Sequence, residues 1–156
     1  MNETVPRDWT PRLALAIAGA LREFTQHVGA EPLVMLALDC HPWHGSIGIA
    51  ALTANEAAAD KALNDPPEMA AWRFFDFARD FDSWQVVTVL GQQMKSAYYS
   101  GNRPAVVEAF FSACAAAITS DVVGEAIEGF IRLDGFKFSV AHPDNGREFV
   151  SGAGRA

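Results

Sequence analysis

Leu13, Ile17, Leu21, Phe24 and Val28 recur at three- and four-residue steps, the spacing of one apolar stripe along a helix. Thr10-Pro11 offers a capping hydroxyl and then a proline at the first helical position, while Gly29 is placed to end the helix in a left-handed conformation. The pattern predicts a helix over 11–28 behind a loose arm at 1–9. The spacing then changes. Leu33–Leu38 is an unbroken apolar run, predicting a strand that is covered on both faces and central in its sheet, or covered on one face and at an oligomer interface on the other. Ile47, Ile49 and Ala51 alternate with smaller residues, as in a neighbouring strand over 47–52. Between the two runs stand Asp39, Cys40, His41, Pro42, Trp43, His44 and Gly45. That connection is long for a tight hairpin and is expected to protrude.

Further along, Thr53-Ala54-Asn55-Glu56 has the capping-box spacing and predicts a short helix to about Leu63, stopped by Asn64-Asp65-Pro66-Pro67. Trp72, Phe74 and Asp76 alternate with Arg73, Phe75 and Phe77, which predicts a third strand, with a helix over 68–80 as the alternative. Helical stripes follow. Trp84, Val87, Leu90 and Met94 run up to Gly101, and Val107, Phe110, Phe111, Cys114 and Ile118 follow Pro104. Ser120-Asp121 caps a last helix to about Ile131. Phe136, Phe138 and Val140 alternate as a strand, Pro143-Asp144-Asn145-Gly146 signals a turn, and Arg147–Val150 folds back as a short edge strand. Residues 151–156 are expected to fray. The order α-β-β-α-β-α-α-α-β-β predicts a single α+β domain. Its sheet would be antiparallel or mixed, of about four to five strands, with about five helices packed on it.

Composition narrows the function. At 156 residues the chain can bury a full core without a disulfide or metal. No apolar run approaches the ~20 residues of a membrane span, and the first residues do not read as a secretory signal. The expected compartment is therefore cytoplasmic, with Cys40 and Cys114 as reduced thiols. A net charge of −7 and a pI near 4.9 argue against nucleic acid as a partner. The acids are uneven: seven against three bases over 56–82, and none over 83–107. Either they solvate exposed faces, or they form an acidic face that steers a basic partner.

Asp39, His41, Trp43 and His44 form the densest set of ligand-type side chains. Imidazole and carboxylate suit a divalent metal or a small molecule, but the spacing matches no metal signature and Pro42 excludes a regular helix. No metal or other cofactor is expected. A turn held by Asp39 and Trp43 is the plainer reading. Cys40 as a nucleophile needs a base that adjacent His41, on the other face of a strand, does not supply; Cys114 lies on an apolar stripe. Asp76, Asp80 and Asp82, set among Trp72, Phe74, Phe75, Phe77, Phe81 and Trp84, are the candidate partner-binding acids. Phosphate loops, serine-hydrolase and dinucleotide fingerprints are absent, and the chain is expected to bind rather than catalyse. His142-Pro143-Asp144 reads as turn chemistry.

At Leu36–Leu52, Trp72–Trp84 and Phe136–Phe149 the chain resembles small bacterial proteins of unknown function and, more loosely, the immunity-like proteins found beside polymorphic toxins. The likeness is one of element order and texture, and the His41-Pro42-Trp43-His44-Gly45 turn has no counterpart there. It implies a partner-binding role without assigning residues to it. The leading expectation is a non-enzymatic protein that recognises a basic protein partner through an acidic, aromatic face. The alternative is a metal-dependent enzyme or small-ligand protein with its site at Asp39–His44; a homodimer pairing strand edges is a third possibility.

Overall fold

In a computed structural model, which describes residues 4–150, the chain is an α+β protein built on a three-stranded mixed sheet. The ends expected to be loose at 1–3 and 151–156 lie outside the described residues. β1 (Leu33–His41) is central, with β2 (Ser46–Thr53) antiparallel on one side and β3 (Arg132–Val140) parallel on the other. That position is what the unbroken apolar run demands. A register shift between Leu33 and Met35 turns Leu33, Leu36, Leu38 and Cys40 to the main core and Met35 and Ala37 to the opposite face. There Ala50, Leu52, Met69 and Trp72 close a second, smaller cluster. Both faces of the strand are covered within one chain.

α1 (Trp9–Val28) buries its predicted stripe but begins at Trp9 rather than Pro11. Thr10 therefore lies inside the first turn, and Asp8 takes the N-cap position without a side-chain cap. The arm is not loose over its described part. Val5 packs on the core, and Trp9 is fully buried, donating its indole N–H to the Leu90 carbonyl at 3.0 Å and meeting Phe110 edge-on. Gly29 has a positive φ of 63°, but its ψ of −138° sends the chain straight into extended structure instead of a left-handed cap.

Thr53 caps α2 (Ala54–Ala59) by accepting from the Glu56 N–H at 3.3 Å. The reciprocal half of the capping box is missing: the Glu56 carboxylate accepts the Arg73 N–H at 2.7 Å instead. The helix stops at Ala59, short of Leu63, and 3-10 turns at Lys61–Asn64 and Pro66–Ala71 follow. The strand expected over 72–77 does not form, nor does a helix over 68–80, so the sheet has three strands rather than four or five. Only Phe74 bridges to Ala51, and Asp76, at φ 54°, breaks the extended run. An alternating strand would have left half of these rings in water. Instead Phe77 stacks on Phe24 with centroids 3.8 Å apart, and buried Trp72 donates to the Leu63 carbonyl.

A 3-10 turn at Asp82–Trp84 leads into α3 (Val86–Ser100), followed by α4 (Arg103–Ile118) and α5 (Asp121–Ile127). Asn102 caps α4 by accepting from Ala105 N–H. The Ser120 hydroxyl does not cap α5; it donates back to the Ala117 carbonyl, and the helix ends at Ile127 rather than Ile131. The expected edge strand over 147–150 shrinks to one bridge between Ala141 and Glu148. Among the described residues no single helix is long and apolar enough to cross a membrane.

Candidate recognition site

The strands extend beyond their apolar runs, so Asp39, Cys40 and His41 belong to β1 and pair with Gly48, Ile47 and Ser46. Only Pro42–Gly45 is left as turn. The N–H groups of His44 and Gly45 both donate to the His41 carbonyl, at 3.0 and 2.9 Å, and Gly45 closes the turn at φ 69°. The connection is tight and does not protrude. It is pressed against α3, where the Tyr99 hydroxyl donates to the Trp43 carbonyl at 3.3 Å.

Strand alternation sends Cys40 into the core and Asp39 and His41 together to the other side. His41 Nε2 stands 2.8 Å from Asp39 Oδ1. That hydrogen bond raises the imidazole pKa above its ordinary 6.5; burial opposes the shift, and the charges of Asp39 and Asp144 add to it.

Asp76, drawn from a different stretch of sequence, arrives at the same place. Opposite Asp39 on β2 stands Gly48, and a Cβ there would lie 3.0 Å from Asp76 Oδ1. The glycine leaves room for a second carboxyl beside the first. Burial raises the Asp76 pKa, Arg79 offsets part of the effect, and the charges of Asp39 and Asp80 add to it. Asp80 is exposed nearby. Asp82, also exposed, opens the 3-10 turn before Trp84 and is not among the charges acting on Asp76.

On its other flank the turn presents Trp43. Its ring meets His41, His44 and Tyr98 edge-on at 5.6, 6.3 and 6.2 Å, and lies tilted against His142 at 5.9 Å. His142 in turn stacks on Phe111 at 5.2 Å. Arg103 lies 5.1 Å over both Tyr98 and Tyr99, and Arg147 clamps Glu108 with two bonds of 2.7 and 3.0 Å. Trp43, Tyr98, Arg103, Val107, His142 and Arg147 line an open groove of about 510 Å³.

All four loop candidates therefore share one surface with Asp76 and Asp80. Tyr98, Arg103, His142 and Arg147 escaped the sequence reading. The turn over 143–146 is indeed a turn, with the Gly146 N–H donating to the His142 carbonyl at 2.8 Å. What the local signal lacks is its placement: β3 returns parallel to β1 and delivers His142 beside Trp43. Among the described residues no three His, Cys, Asp or Glu side chains are grouped to hold a metal ion. No family model matches the chain, and neither a curated protein nor a solved structure matches it.

Proposed function

We propose that this is a non-enzymatic binding protein that recognises a basic protein partner on the face formed by Asp39, Asp76 and Trp43. The observation that carries the reading is Asp76. Its backbone sits at φ 54°, and its carboxyl is held half-buried beside Asp39, with burial and the charges of Asp39 and Asp80 opposing ionisation more than Arg79 favours it. Such an arrangement costs stability, and a cation brought by a partner relieves it. On the flank of Trp43 the two arginines are already engaged, Arg147 by Glu108 and Arg103 by two tyrosine rings. The net charge of −7 favours encounter with a basic protein. Trp43, Tyr98 and Tyr99, the last 56% exposed, are residue types that anchor interfaces. A neutralising role like that of immunity-like proteins, in the cytoplasm, is consistent with this reading.

Affinity capture with the wild type and an Asp76→Asn/Asp80→Asn variant, side by side, tests it. The expected result is capture of high-pI protein by the wild type only, lost at about 1 M salt, where the screening length is about 3 Å. Equal capture by the variant would remove the reading.

A second reading, small-ligand binding, is favoured by the groove beside Trp43, whose volume of about 510 Å³ falls within the ~300–1,000 Å³ of ligand pockets. Ligand-observed NMR with a fragment set checks it. Binding must vanish in Tyr98→Ala, and a groove that takes no fragment excludes it.

A further inference from the structure

Behind the site, on the core side of β1, the two cysteines meet. Cys40 projects from β1 and Cys114 from α4, both free, both 0% exposed, with their Sγ atoms 3.8 Å apart. The Met94 thioether from α3 lies 3.6 Å from Cys40 Sγ and completes a sulfur-lined contact among three elements. Seventy-four residues of sequence separate the cysteines, so the fold itself has brought them together.

We propose that Cys40 and Cys114 are a redox-active dithiol that closes to an intramolecular disulfide linking β1 to α4. The bond requires the sulfurs to move from 3.8 Å to about 2.05 Å. The oxidant is a low-molecular-weight disulfide of the oxidised-glutathione class. One cysteine thiolate attacks it, forming a mixed disulfide and releasing one small thiol. The second cysteine thiolate displaces the other small thiol, so two protein thiols become one disulfide and one small disulfide becomes two thiols. Full burial makes the exchange slow, because it waits on opening of the core, and then shields the finished bond from reductant. Cys40 lies between Asp39 and His41, so the bond tethers the strand that carries the carboxylate–imidazole pair. None of this depends on the identity of a partner.

The test is equilibrium titration of the full chain in glutathione redox buffers, once in native buffer and once in denaturant, with thiols trapped by alkylation and the peptides mapped by mass. If native geometry favours the bond, the disulfide forms in native buffer at a glutathione ratio at least tenfold more reducing than in denaturant, as a Cys40–Cys114 peptide pair. The oxidised form then melts at a higher temperature than the reduced one. Cys40→Ala and Cys114→Ala each abolish the linked peptide. If native protein holds less disulfide than the denatured chain at the same ratio, or only mixed disulfides with glutathione, the proposal is overturned. Because wild type alone decides the comparison, failure of a variant to fold leaves the test intact.

Discussion

Gly45 and Gly91 meet backbone to backbone: a Cβ built on Gly91 would overlap the Gly45 carbonyl oxygen, and one built on Gly45 would come within 2.8 Å of the Gly91 carbonyl. Two glycines far apart in sequence thus let the hairpin turn lie directly on α3. Gly91 sits in the helix interior, where glycine costs roughly 0.5–1 kcal/mol against alanine. The close approach offsets that cost, because it fixes the carbonyl of Trp43 under the Tyr99 hydroxyl.

Replacing Gly91 with alanine should accordingly be destabilising, opposite to the usual gain inside a helix. The overlap falls on backbone, which cannot rotate away, so the turn must lift from α3. We expect a loss of about 1–3 kcal/mol, the usual range for overpacking. Urea unfolding measures it. A shift in Trp43 fluorescence should accompany the loss, since lifting the turn separates Trp43 from Tyr98. An unchanged or raised urea midpoint would show that the turn is not held by this contact.

Asp76→Asn should do two things at once. A carboxyl whose folded pKa lies above its unfolded value binds more protons when folded, so stability falls as pH rises through that window, and the deficit persists at neutral pH. Asparagine removes the ionised form and tolerates the positive φ. The variant should melt above the wild type at pH 7, with the gain shrinking as pH falls toward the ordinary carboxylate range. If Asp76 also serves recognition, the same variant loses partner capture. Thermal melts across pH read the first effect independently of the second.

These sites explain how much was legible in the chain. The stripe of α1 and the apolar run of β1 announce themselves because period and burial coincide along one segment. Asp39 and His41 were legible only as members of a ligand-rich turn; that the strand runs on to His41 and sets the two on one side was not. Nor was Asp76 beside Asp39, since that meeting depends on Gly48 being bare, on a backbone turn at φ 54° and on a third strand that fails to form. Alternation of Trp72, Phe74 and Asp76 pointed to strand because aromatic residues favour strands, yet the rings found more burial against Phe24 than a sheet edge offers. Likewise Tyr98 and His142 carry ordinary helix and turn signals. Only the tertiary fold makes them neighbours of Trp43.

His41 supplies the pH dependence with the opposite interest for binding. Its pKa is raised by the bond to Asp39, so the ion pair contributes stability that is full below the unfolded value near 6.5 and is lost as pH rises through the folded value. His41→Gln should therefore lose most stability against the wild type at mildly acidic pH and least once pH has risen past the folded value, by about 1 kcal/mol or less for a partly exposed pair. Facing this ring are Asp39, Asp144 and His44, and NMR titration of the His41 imidazole follows its step directly. In the wild type a protonated His41 neutralises Asp39, so capture of a basic partner should weaken as pH falls through the same step.

Glu148 holds the other wall of the groove in place. Its carboxylate accepts from the Ser139 hydroxyl and from the N–H groups of Val140, Phe149 and Val150, the Val140 bond being 2.7 Å. Ser139 and Val140 are themselves fully buried, so removing the carboxylate strands two donors that water does not reach. Glu148→Ala should cost about 1–3 kcal/mol for those unpaired groups, and Glu148→Gln, which keeps one oxygen, less. The loss should also be local in character. The strand of residues 139–141 and the returning segment of 147–149 are joined by this side chain and by backbone bonds between Phe149 and Val140 and between His142 and Arg147. Loosening it frees His142 from Phe111 and Arg147 from Glu108, which opens the groove without disturbing β1. Hydrogen exchange should therefore rise over 140–150 in Glu148→Ala while protection over 33–41 persists. A uniform rise over both segments would mean instead that Glu148 supports the whole sheet and not the groove wall alone.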